Sequence, residues 1–142
     1  MSHGSLGRVF FGRLEAGSDI LEAVGRIALE NEINAALVYA IGLTSYARIG
    51  YYDEDSKKYL EKTFEEPMEI LSCKGNVVRD SEGKPIVHLH AVLGARDGRA
   101  YGGHVLKGTK IRICEIALLE LKDIKATRVF DEETGLKLLH VE

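Results

Sequence analysis

Short apolar segments separated by polar or glycine-containing turns recur along most of this chain, and this pattern constrains its fold more than any other feature. Only residues 19–31 show helical periodicity, with Ile20, Val24 and Ile27 on one face. The sequence therefore predicts an α+β fold: a largely antiparallel mixed sheet with one main helix near the N-terminus. The predicted strands are 8–14, 35–41, 44–52, 59–64, 68–78, 86–93, 110–121, 126–130 and 136–141.

Two of these assignments depend on single residues. The range 110–121 is apolar enough for a strand or a helix, and the β-branched Ile111, Ile113 and Ile116 favour a strand. Ser18 or Asp19 is expected to cap the predicted helix, and Asp19 followed three positions later by Glu22 is typical of a capping box.

The length of 142 residues predicts a single domain over 1–142, with a loose N-terminus at 1–6. The net charge of −3 weakens the class of general nucleic-acid binders, which are usually basic. Neither a membrane-spanning run of about 18 apolar residues nor the residue order of a signal peptide is present, so we expect a cytoplasmic location. Cys73 and Cys114 match no metal or redox spacing and are expected to be reduced and buried.

Three of the five histidines occur close together, in Pro85-Ile-Val-His88-Leu-His90 and in Tyr101-Gly-Gly-His104. Side chains at i and i+2 of a strand point to one face, which places His88 and His90 about 6.5–7 Å apart at Cα. A glycine-rich return of the chain would bring His104 beside them. Three histidines with one open position are typical of a catalytic-type zinc site.

The alternative is that these are ordinary polar histidines, because His-x-His also arises by chance. The third histidine in a glycine-rich turn favours a metal, with one zinc ion per chain as the first choice. Nickel, cobalt and iron also bind imidazole and are not separated by ligand type.

Two carboxylates in apolar surroundings are candidate catalytic groups. Glu69 lies between Met68 and Ile70, and Glu115 between Cys114 and Ile116. Either could serve as a general base or orient a ligand histidine. A structural ion pair or simple exposure explains them equally well, and we favour that alternative.

Residues 94–112 carry five basic side chains and one acid, a local net charge of +4. Arg96, Arg99 and Lys107 are therefore candidates for binding a small anion or nucleic-acid phosphates. Solvated surface charge is the alternative. The glycines of this stretch match neither a phosphate-binding loop nor a dinucleotide fingerprint.

Several motifs together resemble the plants-and-prokaryotes-conserved (PPC) domain, over about residues 8–122. The chain is also similar to an archaeal metal-containing member of that family. The motifs are His88-Leu-His90 and Gly102-Gly-His104, with support from Arg13-Leu-Glu-Ala-Gly-Ser18, Ala40-Ile-Gly42, Gly50-Tyr-Tyr-Asp53 and Pro67-Met-Glu-Ile-Leu71.

The resemblance implies an α+β fold, a homotrimer, and a metal held by His88, His90 and His104. It also implies distant fold similarity to α-acetolactate decarboxylase and to a zinc-dependent ester hydrolase. Plant members carry AT-hooks, whose Arg-Gly-Arg-Pro core enters the minor groove. This chain has only Pro67 and Pro85, and neither follows an arginine, so we expect DNA binding to be weak and non-specific if it occurs.

Two functional hypotheses follow. The first is a trimeric zinc-binding protein of the PPC type with a regulatory or DNA-associated role. The alternative is a small zinc-dependent lyase or hydrolase that acts on an anionic carbonyl compound. In that case zinc would polarise a carbonyl or activate water, and the basic side chains would hold a carboxylate.

Overall fold

The computed structural model describes residues 1–142 as nine strands and one helix, which confirms the predicted α+β class. The helix α1 (Ile20–Glu30) lies between the first two strands. The strands are β1 (Ser5–Arg13), β2 (Ala35–Asp53), β3 (Lys58–Phe64), β4 (Met68–Arg79), β5 (Pro85–Gly94), β6 (Ala100–Val105), β7 (Lys110–Lys122), β8 (Ala126–Asp131) and β9 (Leu136–Val141).

Seven strands form one sheet in the order β1-β7-β2-β4-β5-β6, with β3 on the far half of β2. Strand β6 also pairs with β2, through Ile49 opposite Val105 and Gly50 opposite His104, so the path from β2 to β6 closes on itself. Strands β8 and β9 form a separate hairpin. All pairs of named strands are antiparallel rather than mixed, and the one parallel contact is an isolated bridge between Asp80 and Arg128.

The helix packs against this sheet. Its buried face, formed by Ile20, Val24 and Ala28 among others, packs mainly against β5. Of the two expected caps, Ser18 and Asp19, it is Asp19 that caps the helix, accepting hydrogen bonds from the backbone N–H groups of Leu21 and Glu22. The predicted capping box is not formed from the Glu22 side, because that carboxylate pairs with Lys107 at 2.8 Å.

Three features of the strands differ from the sequence predictions. Strand β1 begins at Ser5, so Ser5 and Leu6 pair with β7 instead of lying in a loose terminus. The ranges 35–41 and 44–52 form one continuous strand. Gly42 connects them with a positive φ of 146°, a conformation that glycine adopts without strain. Strand β6 was missed, since its central glycines carry no apolar pattern.

Both cysteines are free and buried, as expected. Burial raises the pKa of the Cys73 thiol to about 12 and that of Cys114 to about 11, so both stay protonated at neutral pH. No helix of the protein has the length and apolar character needed to cross a bilayer.

Strand β1 is fixed to β7 by an ion pair with three hydrogen bonds. The Glu120 carboxylate accepts from the backbone N–H of Arg8 at 3.0 Å and from its Nε and Nη2, each at 2.8 Å. These donors lower the pKa of Glu120 to about 2. Because the folded chain holds this carboxylate charged, the pair stabilises the fold above the ordinary glutamate pKa near 4.5.

We predict that the contribution of this pair to the free energy of unfolding is lost as pH falls from about 4.5 to about 2. Urea unfolding at several pH values measures it. Glu120→Gln should flatten the acid limb of the stability curve, while Glu115→Gln, at an exposed and unpaired glutamate on the same strand, should leave it unchanged. An acid limb that is the same in wild type and Glu120→Gln would contradict the prediction.

Candidate metal centre

Because side chains alternate along a strand, β5 carries two histidines on the outer face of the closed sheet. Leu89 and Ala91 are buried on its inner face, at 0% and 6% exposure. His88 and His90 therefore lie together on the outer face. The antiparallel register of β5 and β6 places His104 directly opposite His90. The structure thus brings the three predicted histidines into one cluster.

The nitrogen atoms of this cluster have nearly the spacing of metal ligands. One candidate ligand nitrogen from each histidine lies within 4.8 Å of the other two. The Nε2 atoms of His88 and His90 are 3.0 Å apart. Two nitrogens bound to one tetrahedral zinc ion at about 2.0–2.1 Å would be separated by about 3.4 Å. Small side-chain adjustments are enough to place all three around one ion.

The surroundings of His104 and His88 favour the neutral form of both rings. The ring of His104 stacks on Tyr59, with centroids 4.5 Å apart and planes 18° from parallel. Burial and the neighbouring His88 and His90 lower the pKa of His104 to about 4. Burial, with smaller effects of Arg128 and His90, also lowers the pKa of His88. At neutral pH both rings therefore have a free lone pair, which metal binding requires.

The donor set fits a divalent transition metal. Nδ1 of His104 is buried and has no hydrogen-bond partner. A metal ion bound by this nitrogen would give it the partner that the protein lacks. Three neutral imidazoles suit zinc, copper, iron or nickel and leave one coordination position for a ligand.

A close contact between β4 and β5 holds the two strand histidines in place. Gly75 of β4 lies opposite Leu89, and its neighbours Lys74 and Asn76 lie opposite His90 and His88. A Cβ atom at Gly75 would be only 1.9 Å from the carbonyl oxygen of His88. Only glycine permits this approach of the two backbones.

A cavity of about 200 Å³ opens beside the cluster and is called the histidine cavity here. It is lined by Tyr59, Ile86, Val87, His88, His104, Arg128, Leu136, Lys137 and Leu138. Arg128 reaches it from the β8–β9 hairpin and donates from Nη2 to Asn76 Oδ1 at 2.6 Å. The same Nη2 is 3.5 Å from Nδ1 of His88, and Nη1 donates to the carbonyl of Lys137 at 3.3 Å.

The two candidate carboxylates lie elsewhere. Glu69 is exposed on β4, five positions from the residue opposite His90, which is about 16 Å along the strand. Glu115 is exposed on β7, three strands away from β5, about 14 Å across the sheet. Neither belongs to the histidine cluster.

The three candidate anion-binding residues are also outside the histidine cavity. Arg99 pairs with Asp97 at 2.5 Å, and Lys107 pairs with Glu22 at 2.8 Å. Arg96 lines a separate groove together with Glu66 and Glu69. The structure therefore places Arg128, and none of these three, beside the histidines.

Three residues at or beside the cluster were not predicted from the sequence: Arg128, Tyr59 and Gly75. Gly75 was visible as an interruption in a strand pattern, which commonly marks a close backbone approach. Tyr59 and Arg128 offered no comparable indication, because each reaches the cluster from a strand that is distant in sequence.

Comparison with known proteins gives the same picture of the fold. Residues 1–122 match the model of the Plants and Prokaryotes Conserved (PCC) domain. A metal-containing protein from Archaeoglobus fulgidus is 39% identical, with a TM-score of 0.90 over 99% of this chain and 98% of that one. A plant- and prokaryote-conserved (PPC) protein from Pyrococcus horikoshii is 31% identical, with a TM-score of 0.93 over 99% and 96%.

Two further matches differ from this chain in length or in identity. The bifunctional protein GlmU of Synechococcus sp. (strain JA-3-3Ab) is 33% identical over 98% of this chain, which spans only 21% of that relative. Acetolactate decarboxylase from Bacillus subtilis has a TM-score of 0.56 at 13% identity, over 84% of this chain and 54% of that one, which confirms the expected distant likeness of fold alone.

We predict that Gly75→Ala disrupts the histidine cluster and destabilises the protein by about 1–3 kcal/mol, because the methyl group overlaps the backbone of β5. Urea unfolding measures the loss. Gly12→Ala is the matched control, since a Cβ there meets nothing within 4 Å. Equal stability of the two variants would show that the contact at Gly75 relaxes without cost.

Proposed function

The chain belongs to the Plants and Prokaryotes Conserved (PCC) domain family, and we propose that it is a homotrimeric protein holding one zinc ion per chain at His88, His90 and His104. The observation that carries the proposal is the convergence of three imidazole nitrogens within 4.8 Å of one another. The metal-containing protein of Archaeoglobus fulgidus supports it, because the two chains are 39% identical.

The chemistry of the site supports zinc over calcium or magnesium. Imidazole nitrogen is a ligand of zinc and of other late transition metals, whereas calcium and magnesium prefer oxygen. Three protein ligands and an open fourth position match zinc sites that bind a further molecule.

An apolar outer face supports the trimer. Large side chains at least 48% exposed lie on the adjacent strands β1, β7, β2 and β4. Exposed apolar area of this extent on one face favours association with another chain. We call this set the apolar face; its members are Phe11, Ile113, Tyr39, Ile41 and Leu71.

A zinc-dependent lyase or hydrolase acting on an anionic carbonyl compound is the second candidate function. The observation that favours it is the histidine cavity, which places Arg128 and two of the three histidines around one space. A zinc ion would supply Lewis acidity at that space. The chain itself would orient a substrate through Arg128 and exclude water with the apolar side chains of Ile86 and Leu138.

DNA association is the weaker part of the family-based hypothesis. A similar structure from Ralstonia eutropha JMP134, 25% identical with a TM-score of 0.82, has been given a provisional DNA-binding name. In this chain Arg99 and Lys107 are already paired with acids, which reduces the charge available to phosphates. We propose only weak, salt-sensitive and non-specific contact with DNA, and a cytoplasmic location.

We predict that the purified protein contains about one zinc ion per chain and that the double change His88→Ala, His90→Ala removes it, because one imidazole alone binds zinc weakly. Elemental analysis measures the content. His140→Ala is the matched control, since His140 lies on β9 outside the cluster. Undiminished metal in the double variant would refute the assignment.

We predict a solution mass of about three times 15.7 kDa by light scattering. Ile41→Glu should lower that mass, because it puts a charge into the apolar face. Leu60→Glu changes an equally exposed leucine on β3 and should leave the mass unchanged. A monomeric wild-type protein at micromolar concentration would exclude the trimer.

A further inference from the structure

We propose that the histidine cavity binds a small carboxylate and that Arg128 holds it. The inference rests on the proposed zinc site and names the chemical class of molecule that the site takes. It assigns a binding role to a residue of the β8–β9 hairpin, which follows the part of the chain matched by the family model.

The first observation is that Arg128 is a buried cation without an anion. It is only 6% exposed, and none of the six ion pairs in the protein includes it. Its partners are the Asn76 amide oxygen, the His88 ring and a backbone carbonyl, all of them neutral. Burying an uncompensated charge is costly, so an anionic partner is expected.

The neighbouring buried acid shows the contrast. Asp80 is also 6% exposed, but its carboxylate accepts from Lys137 Nζ at 2.7 Å and from two backbone N–H groups. Lys137 is thereby neutralised, although it lines the same cavity. The positive charge of Arg128, unlike that of Lys137, is therefore not neutralised by an acidic side chain of the protein.

The second observation concerns the donors of Arg128. A guanidinium has five N–H groups, of which Asn76, His88 and Lys137 take three. Nε is buried and has no partner, and Nη1 keeps one more N–H. Because Nε and Nη1 lie on different edges of the guanidinium, a carboxylate oxygen would accept a charge-assisted hydrogen bond from one of these donors at a time.

The contact between Arg128 and His88 also favours a bound carboxylate. If His88 binds the metal through Nε2, its Nδ1 carries a proton and can no longer accept from Arg128. Ligand histidines usually donate that proton to a carboxylate or a carbonyl. Here a guanidinium nitrogen stands 3.5 Å away, so two donors face each other. A carboxylate beside them would accept from both.

The charge of the loaded site needs an anion as well. A divalent ion, three neutral imidazoles and Arg128 together carry three positive charges, and the cavity is lined by no acidic side chain. Opposite charge at such a place is strongly favoured, because burial weakens solvent screening.

The size of the cavity limits the ligand. It measures about 200 Å³. Sites for drug-sized molecules usually measure about 300–1,000 Å³. Apolar walls at Ile86, Leu136 and Leu138 suit a short carbon chain. The ligand class is therefore a carboxylic acid of a few carbons. Its carboxylate would contact Arg128, and a further oxygen atom would face the histidines.

The test is calorimetric titration of the zinc-loaded protein with acetate, pyruvate, neutral methyl pyruvate and inorganic phosphate. We expect pyruvate to bind more tightly than its neutral ester and than phosphate. Arg128→Met should weaken pyruvate binding at least tenfold, because a charge-assisted hydrogen bond is lost. Arg128→Lys should recover part of the affinity by restoring the charge.

Arg26→Met is the matched control, because it removes an exposed helix arginine and should leave the affinity unchanged. The Arg128→Met change keeps an unbranched side chain but leaves the Asn76 amide oxygen and the Lys137 carbonyl without this donor, so the fold of the variant has to be verified. Circular dichroism and zinc content of each variant check this point.

Three outcomes would overturn the inference: neither carboxylate binds at millimolar concentration, phosphate binds more tightly than pyruvate, or Arg128→Met binds pyruvate as well as wild type. A full zinc content with any of these results leaves the zinc proposal standing. A wild-type protein that takes up no zinc refutes that proposal instead, and the same comparison of Arg128→Met with wild type in the metal-free protein then decides the role of Arg128.

Discussion

Burial of Leu89, Ala91 and Leu93 on the inner face of β5 is the constraint on which the rest of the site depends. Burying a large apolar side chain such as leucine contributes about 1.5–3 kcal/mol to the stability of the fold. Since strand side chains alternate, burying these three fixes His88 and His90 on the outer face. A slip of one residue would bury the histidines and expose the leucines, so packing of the core also specifies the site.

Closure of the sheet adds the third histidine. Strand β6 lies between β5 and the far half of β2, and its Gly103 allows this, because a Cβ there would be 2.9 Å from the carbonyl oxygen of Gly50. Gly75 serves the same purpose between β4 and β5. Gly75 and Gly103 thus lie where two strand backbones approach closely. The strands β5 and β6, which take part in these contacts, carry the three histidines.

Sequence patterns could predict the parts of this arrangement that are local. The strand pair His88 and His90 follows from alternation, and the helix with its Asp19 cap follows from periodicity and spacing. The pairing of His104 with His90 could not be derived in the same way, because the glycines of β6 conceal the strand. Arg128 is 40 positions from His88 and meets it only after the hairpin docks beside β4. Glu69 and Glu115 show a further limit, because only the strand order reveals how far these two carboxylates lie from the histidines.

The composition of the site decides between the kinds of chemistry it can support. Hydrolysis by a bound water needs a group that takes up its proton, usually a carboxylate or a free histidine. Around the histidine cavity the titratable groups are two of the clustered imidazoles, Tyr59, Lys137 and the cation Arg128. A positive charge at that place favours the anionic form of whatever ligand enters. The lining of this cavity thus offers a cation that can hold an anionic ligand, but no carboxylate that could take a proton from a bound water.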